Sequence, residues 1–160
     1  MLWKRQATDR QQIGICVRCV SLGFCGLRRG EHQMANVQVN IERELREKIT
    51  PGTLIPKPKA KGGFIVKGWG IRRGENALIY LIPNWTEPTK PHQKGITTSE
   101  WKQAIERLTS AGDFSHQWFK RDMPACAKEG SCNFTTIGGI FELLGYAYYA
   151  PPGVYRKTVG

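Results

Sequence analysis

The chain has 160 residues, 40% of them hydrophobic, which suffices for one cored domain and is too little to argue for two. Lys and Arg number 24 against 13 Asp and Glu, and the resulting formal net charge of +11 points to a polyanionic partner or an acidic surface. No stretch approaches the roughly 20 apolar residues of a membrane span, and the apolar run Ile13 to Cys25 is broken by Arg18 and lacks a small-residue cleavage site, so neither a membrane segment nor a signal peptide is expected.

Residues 1–33 hold three of the five cysteines, scattered arginines and no sustained period, so they are expected to form a poorly ordered extension, with Met34 a plausible true start and 34–160 a single α+β domain. Cys16, Cys19, Cys25 and His32 are the residue types of a three-Cys, one-His zinc site. Only the Cys16-Val-Arg-Cys19 half has a recognisable spacing, so an unstructured leader is the simpler reading and no metal or cofactor is expected. An odd cysteine count fits a reducing compartment better than a disulfide framework, which makes the cytoplasm the expected location.

From Val37 the pattern is helical, with Val37, Ile41, Leu45 and Ile49 four apart, Asn36 as cap, Glu42–Arg46 and Glu44–Lys48 as outer ion pairs, and Thr50-Pro-Gly as the stop. The two prolines and the glycine pair of Thr53 to Gly63 allow at most a short edge strand and then a flexible link. Phe64 to Trp69 and Ala77 to Ile82 predict a hairpin whose second strand, apolar at nearly every position, is central. Pro83 ends it, and Asn84 to Gly95, rich in proline, reads as a surface loop.

Thr97 and Glu100 spell a capping box, with Ile96 placed to staple onto Trp101, so a helix starts at Thr98 and buries Trp101, Ala104, Ile105 and Leu108 before Gly112 stops it. Ser115, with Phe114 stapling onto Phe119, repeats the device for a helix that runs to Met123 before Pro124. Ala125 to Ser131 reads as a loop, Thr136 to Leu144 as a fourth helix, and Tyr146 to Tyr149 with Val154 to Lys157 as a closing hairpin around Pro152 and Gly153. The fold expected is α+β, a small mainly antiparallel sheet packed with about four helices. Gly138 and Gly139 weaken the fourth helix unless something approaches its backbone, and the aromatic elements on either side make that a packing contact.

Little catalytic chemistry is legible. Cys126 and Cys132 read as small packing residues beneath the fourth helix, ahead of a ligand set with His116. Paired carboxylates and a phosphate-binding glycine motif are both missing, so an enzyme is not the first reading, and a hydrolase built on His116, Asp113 and Cys126 ranks third. What remains is Lys57, Lys59, Lys61, Lys67, Arg72 and Arg73, a run without an acid, with Trp69 among them. Such a ribbon suits phosphate contacts with the ring stacked on a base, and these seven residues are the expected nucleic-acid site. The alternatives are a solvated loop with Trp69 in the core, or a winged-helix reading of the C-terminal half, whose recognition helix carries no Arg or Lys.

The runs Phe64-Ile-Val-Lys-Gly-Trp-Gly-Ile-Arg-Arg-Gly-Glu, Ala77-Leu-Ile-Tyr-Leu-Ile-Pro-Asn and Cys126-Ala-Lys-Glu-Gly-Ser-Cys-Asn-Phe-Thr-Thr-Ile-Gly-Gly resemble uncharacterised bacterial proteins carried on mobile integron gene cassettes. The resemblance spans about Met34 to Arg156 and implies a bacterial, cytoplasmic accessory protein with no assigned activity or site. From the Lys57 to Arg73 ribbon, the expectation is a non-enzymatic nucleic-acid-binding module; the alternative is a protein-interaction or small-ligand-binding module, with a homodimer as one form of it.

Overall fold

A computed structural model describes residues 41–58 and 62–159. The extension 1–33, Met34, Asn36, Val37, the cysteine set Cys16, Cys19 and Cys25 with His32, and Lys59 and Lys61 lie outside them. The fold is α+β, with five helices, a curled four-stranded antiparallel sheet and a small three-stranded one.

Helix α1, described over residues 41–48, buries Ile41, Leu45 and Ile49 and carries its Arg46–Glu42 and Lys48–Glu44 pairs outside at 3.1 and 3.2 Å. The first sheet has the order β1 (Leu54–Ile55), β2 (Phe64–Arg72), β3 (Glu75–Ile82), β4 (His92–Thr97). β1 is a two-residue edge and β3 is central, as the apolar pattern requires. The β2–β3 turn is tighter than its sequence suggests. Only Arg73 and Gly74 form it, with φ of 50° and 80°, the two left-handed residues of a twist-matched hairpin turn. Lys67 falls where the register shifts between Val66 and Gly68, a bulge that leaves its side chain exposed.

The loop expected over Asn84 to Gly95 is shorter than that, because β4 begins at His92. His92-Gln-Lys-Gly has no β propensity of its own, and the strand exists because β3 offers a full ladder to it from Ile82↔His92 to Ala77↔Thr97. Gly95 is needed there, since a side chain would collide with Ile79 at 2.6 Å. Thr97 then closes the strand and opens helix α2 (Thr98–Ala111), whose capping box is formed and whose end is Gly112 in the left-handed conformation.

After α2 the chain forms β5 (Asp113–Ser115), then α3 (His116–Asp122) capped by the Ser115 hydroxyl, which accepts from Trp118 N. The predicted loop after Pro124 is instead helix α4 (Pro124–Glu129), because proline at a first helical position starts a helix as readily as it ends one. Helix α5 (Cys132–Leu143) begins four residues before its predicted start. The closing hairpin, β6 (Ala147–Ala150) and β7 (Val154–Lys157), is joined through β7 to β5, giving the order β5-β7-β6.

α5 is enclosed on nearly every side, with Asn133, Phe134 and Thr136 to Phe141 all buried. That excludes the winged-helix reading, since a helix buried this way has no face for a DNA groove. Phe114 joins the layers through ring contacts to Phe119, Phe134 and Phe141 at 6.1, 5.1 and 6.0 Å. The two glycines are packing contacts on opposite sides: a Cβ on Gly138 would overlap the Tyr155 ring, and one on Gly139 would overlap the carbonyl of Pro56.

Candidate nucleic-acid interface

The residues of the expected ribbon do not share one surface role. Lys57, just after β1, turns inward and lies over the Phe64 ring at 3.7 Å. Its ammonium donates to Thr135 Oγ1 at 2.6 Å, Thr136 Oγ1 at 2.9 Å and the Cys132 carbonyl at 3.2 Å, all in the first turns of α5. Burial lowers its pKa to about 7, and the Cys132 sulfur opposes that shift. Trp69 is half-buried, covered by the Arg46 guanidinium 4.0 Å above its ring. This matches the alternative in which Trp69 packs into the fold.

At the hairpin tip, Arg72 pairs with Glu129 at 3.3 Å, and Arg73 pairs with both Glu129 and Glu100. Glu100 also accepts from Thr97 N at 2.9 Å in the capping box, so a single carboxylate ties the tip to the start of α2. The left-handed conformation of Arg73 costs about 1 kcal/mol, and these two carboxylates hold it in place. Beside the tip lies a cavity of about 400 Å³ whose lining includes Arg73, Glu75, Ser99, Gln103, Asp122 and Cys126.

Lys67 is exposed, as Arg73 is, but in place of a carboxylate its ammonium meets Gln93 Oε1, donating at 2.7 Å across the sheet. It is directed toward the end of the sheet opposite the hairpin tip, where β2 starts and β3 ends. That end carries an aromatic the sequence reading passed over. Trp85, two residues past Pro83, is 79% exposed, and its ring passes 3.4 Å from where a Cβ on Gly62 would stand. Gly62 precedes β2, so the indole sits against the segment that leads into that strand. Lys90, in the same loop as Trp85, is exposed and pairs with Glu87 at 3.0 Å. A tryptophan among Asn, Thr, Glu and Pro, with no apolar neighbour in register, was the available signal for Trp85, since such a ring has no core to join.

The cysteines also separate. Cys126 is 1% exposed, and burial, with Glu100 nearby, pushes its thiol well above the usual range. Cys132, half-buried, has its sulfur 3.2 Å from Lys94 Nζ and 3.6 Å from the Tyr80 hydroxyl. Both thiols are free. His116 packs against Phe119 and Phe134, and Asp113 pairs with Arg107, so neither joins Cys126 in the triad that a hydrolase would need. Among the described residues no three His, Cys, Asp or Glu gather to hold a metal, and no helix is long and apolar enough to cross a membrane. No family model, curated protein or solved structure matches this chain.

Proposed function

We propose that the protein is a non-enzymatic module that binds single-stranded nucleic acid at the end of the first sheet where Trp85 stands exposed against Gly62, with Lys67 and Lys90 as its described cations. The observation that carries this reading is the exposure of Trp85 in that position. An indole held in water beside cations is what a stacking platform requires, because a base covers the ring while lysines meet the flanking phosphates. Base–aromatic stacking is worth about 1–3 kcal/mol per base, and the formal net charge of +11 supplies the long-range attraction. Lys67 and Lys90 extend the same end of the sheet. The bacterial gene-cassette setting suggested by the sequence resemblance is part of this proposal.

Fluorescence anisotropy with labelled oligo-dT and oligo-U at low salt tests it, with Trp85 emission as a second readout. Binding is expected to weaken as salt rises and to fall about tenfold in Trp85→Ala, whereas Arg72→Ala changes it little. Absence of binding at low salt removes the proposal. Equal loss in Arg72→Ala and Trp85→Ala returns the site to the hairpin tip.

The small-ligand alternative has the cavity at the tip behind it. Its lining sets three carboxylates, from Glu75, Glu100 and Asp122, against the Arg73 guanidinium, which suits a small polar amine. A thermal-shift screen of such amines tests that reading. The homodimer alternative has exposed Leu54 and Ile65 on neighbouring strands as a surface, and native mass decides it.

A further inference from the structure

We propose that Cys132 is a peroxide-reactive thiol, a modification site assisted by Lys94 and independent of the nucleic-acid reading. The thiolate is the attacking species in such oxidations. Lys94, on β4 opposite Tyr80, brings its ammonium to 3.2 Å from the Cys132 sulfur. A second ammonium, that of Lys57, lies on the same turn of α5 and bonds the Cys132 carbonyl at 3.2 Å. Tyr80 is the other titratable group beside the sulfur; burial pushes its hydroxyl far up, so it stays neutral 3.6 Å away, with its proton directed to Asn133 Oδ1. The nearest carboxylate by chain, Glu129, is turned to Arg72 and Arg73, and only its backbone carbonyl meets Lys94.

Gly130 makes this approach possible. A Cβ there would overlap Lys94 Nζ and lie 3.2 Å from the Cys132 sulfur, and its φ of 146° disfavours any side chain. The backbone is therefore cleared where the ammonium and the sulfur meet, in the turn between α4 and α5.

The reaction balances with a hydroperoxide as the oxidant. Sulfur attacks the near oxygen, an S–O bond forms and the O–O bond breaks. Sulfur loses two electrons and the peroxide gains them. With hydrogen peroxide the leaving hydroxide takes a proton from the Lys94 ammonium and departs as water. The amine regains its proton from solvent, leaving a sulfenic acid on Cys132. Cys126 is a built-in control, a second thiol in the same chain, buried and facing a carboxylate in place of an ammonium.

The test treats the full chain with hydrogen peroxide in the presence of a 1,3-dicarbonyl trap and follows each cysteine by peptide mass spectrometry. In the folded chain Cys132 is expected to label about tenfold faster than Cys126, and faster than Cys132 itself in urea-unfolded wild type. Lys94→Gln, which keeps a donor for the Glu129 carbonyl and loses the charge, is expected to lower the rate to the unfolded value with the urea midpoint little changed. Labelling of Cys132 no faster in the folded than in the unfolded chain overturns the proposal, a comparison that requires no variant. A Lys94→Gln rate equal to wild type overturns it as well, and reduces Lys94 to a cap on the end of α4.

Discussion

Two groups of basic residues around the β2–β3 hairpin serve opposite purposes. Toward α4 and α5, Lys57, Arg72, Arg73 and Lys94 are all bound within the fold, to hydroxyls, backbone carbonyls and carboxylates. Away from those helices Lys67, Trp85 and Lys90 stand in water, and the partners of the two lysines are exposed side chains. A cation half-removed from water must be compensated inside the fold, so its loss registers in stability. An exposed cation contributes little to stability and is free to meet a ligand. A basic run in a sequence is thus two populations, and burial sorts them.

Substitutions on the inner side are expected to move stability, and those on the outer end to move binding alone. The largest effect is expected for Gly139→Ala, which drives a methyl into the Pro56 carbonyl beside Lys57. Alanine favours a helix by about 1 kcal/mol, and overpacking against backbone that cannot yield reverses the sign, for a net loss of about 2 kcal/mol in urea unfolding. A gain in stability would mean that α5 does not seat against this segment.

Next comes Arg73→Ala, which leaves Glu100, whose side chain is 10% exposed, without its countercharge and is expected to lose about 1–2 kcal/mol. Arg73→Gly should recover up to about 1 kcal/mol of that, because glycine accepts the left-handed turn freely. Equal losses in the two variants would separate the turn from the ion pairs.

Lys57 sharpens the contrast through pH. Its folded pKa, lowered by burial to about 7, lies below the unfolded value, so the unfolded chain binds more protons between the two. Stability through this group is fully present above the ordinary lysine range and is lost as pH falls toward 7. Wild type should therefore lose ground to Lys57→Met between about pH 10 and pH 7 in chemical denaturation. A flat difference would place the ammonium in water. The smallest effect is expected at Trp85→Ala, within about 0.5 kcal/mol of wild type, since the ring is open to solvent. A larger loss there would make Trp85 a packing residue and undo the comparison.

Much of the local structure was legible because short-range chemistry decides it. The Thr97–Glu100 box, the Ser115 cap and the Gly112 stop involve residues three to four apart or a single backbone conformation, and each formed as expected. β4 was illegible because its ladder comes from β3, and α4 because Pro124 reads equally well as an end and as a beginning. The site was harder still. Arg72 meets a glutamate 57 residues away, and how far Trp69 is covered depends on where α1 sets Arg46.

The sequence by itself determined the central hairpin, the closing hairpin, helices α2, α3 and α5, the caps of α2 and α3 and the need for a close contact at Gly138 and Gly139, since propensity and periodicity act within a few residues. Only the tertiary structure decided what those glycines touch, which cations are neutralised internally and which sulfur faces an ammonium. Those outcomes depend on side chains far apart in the chain, brought together by packing around α5.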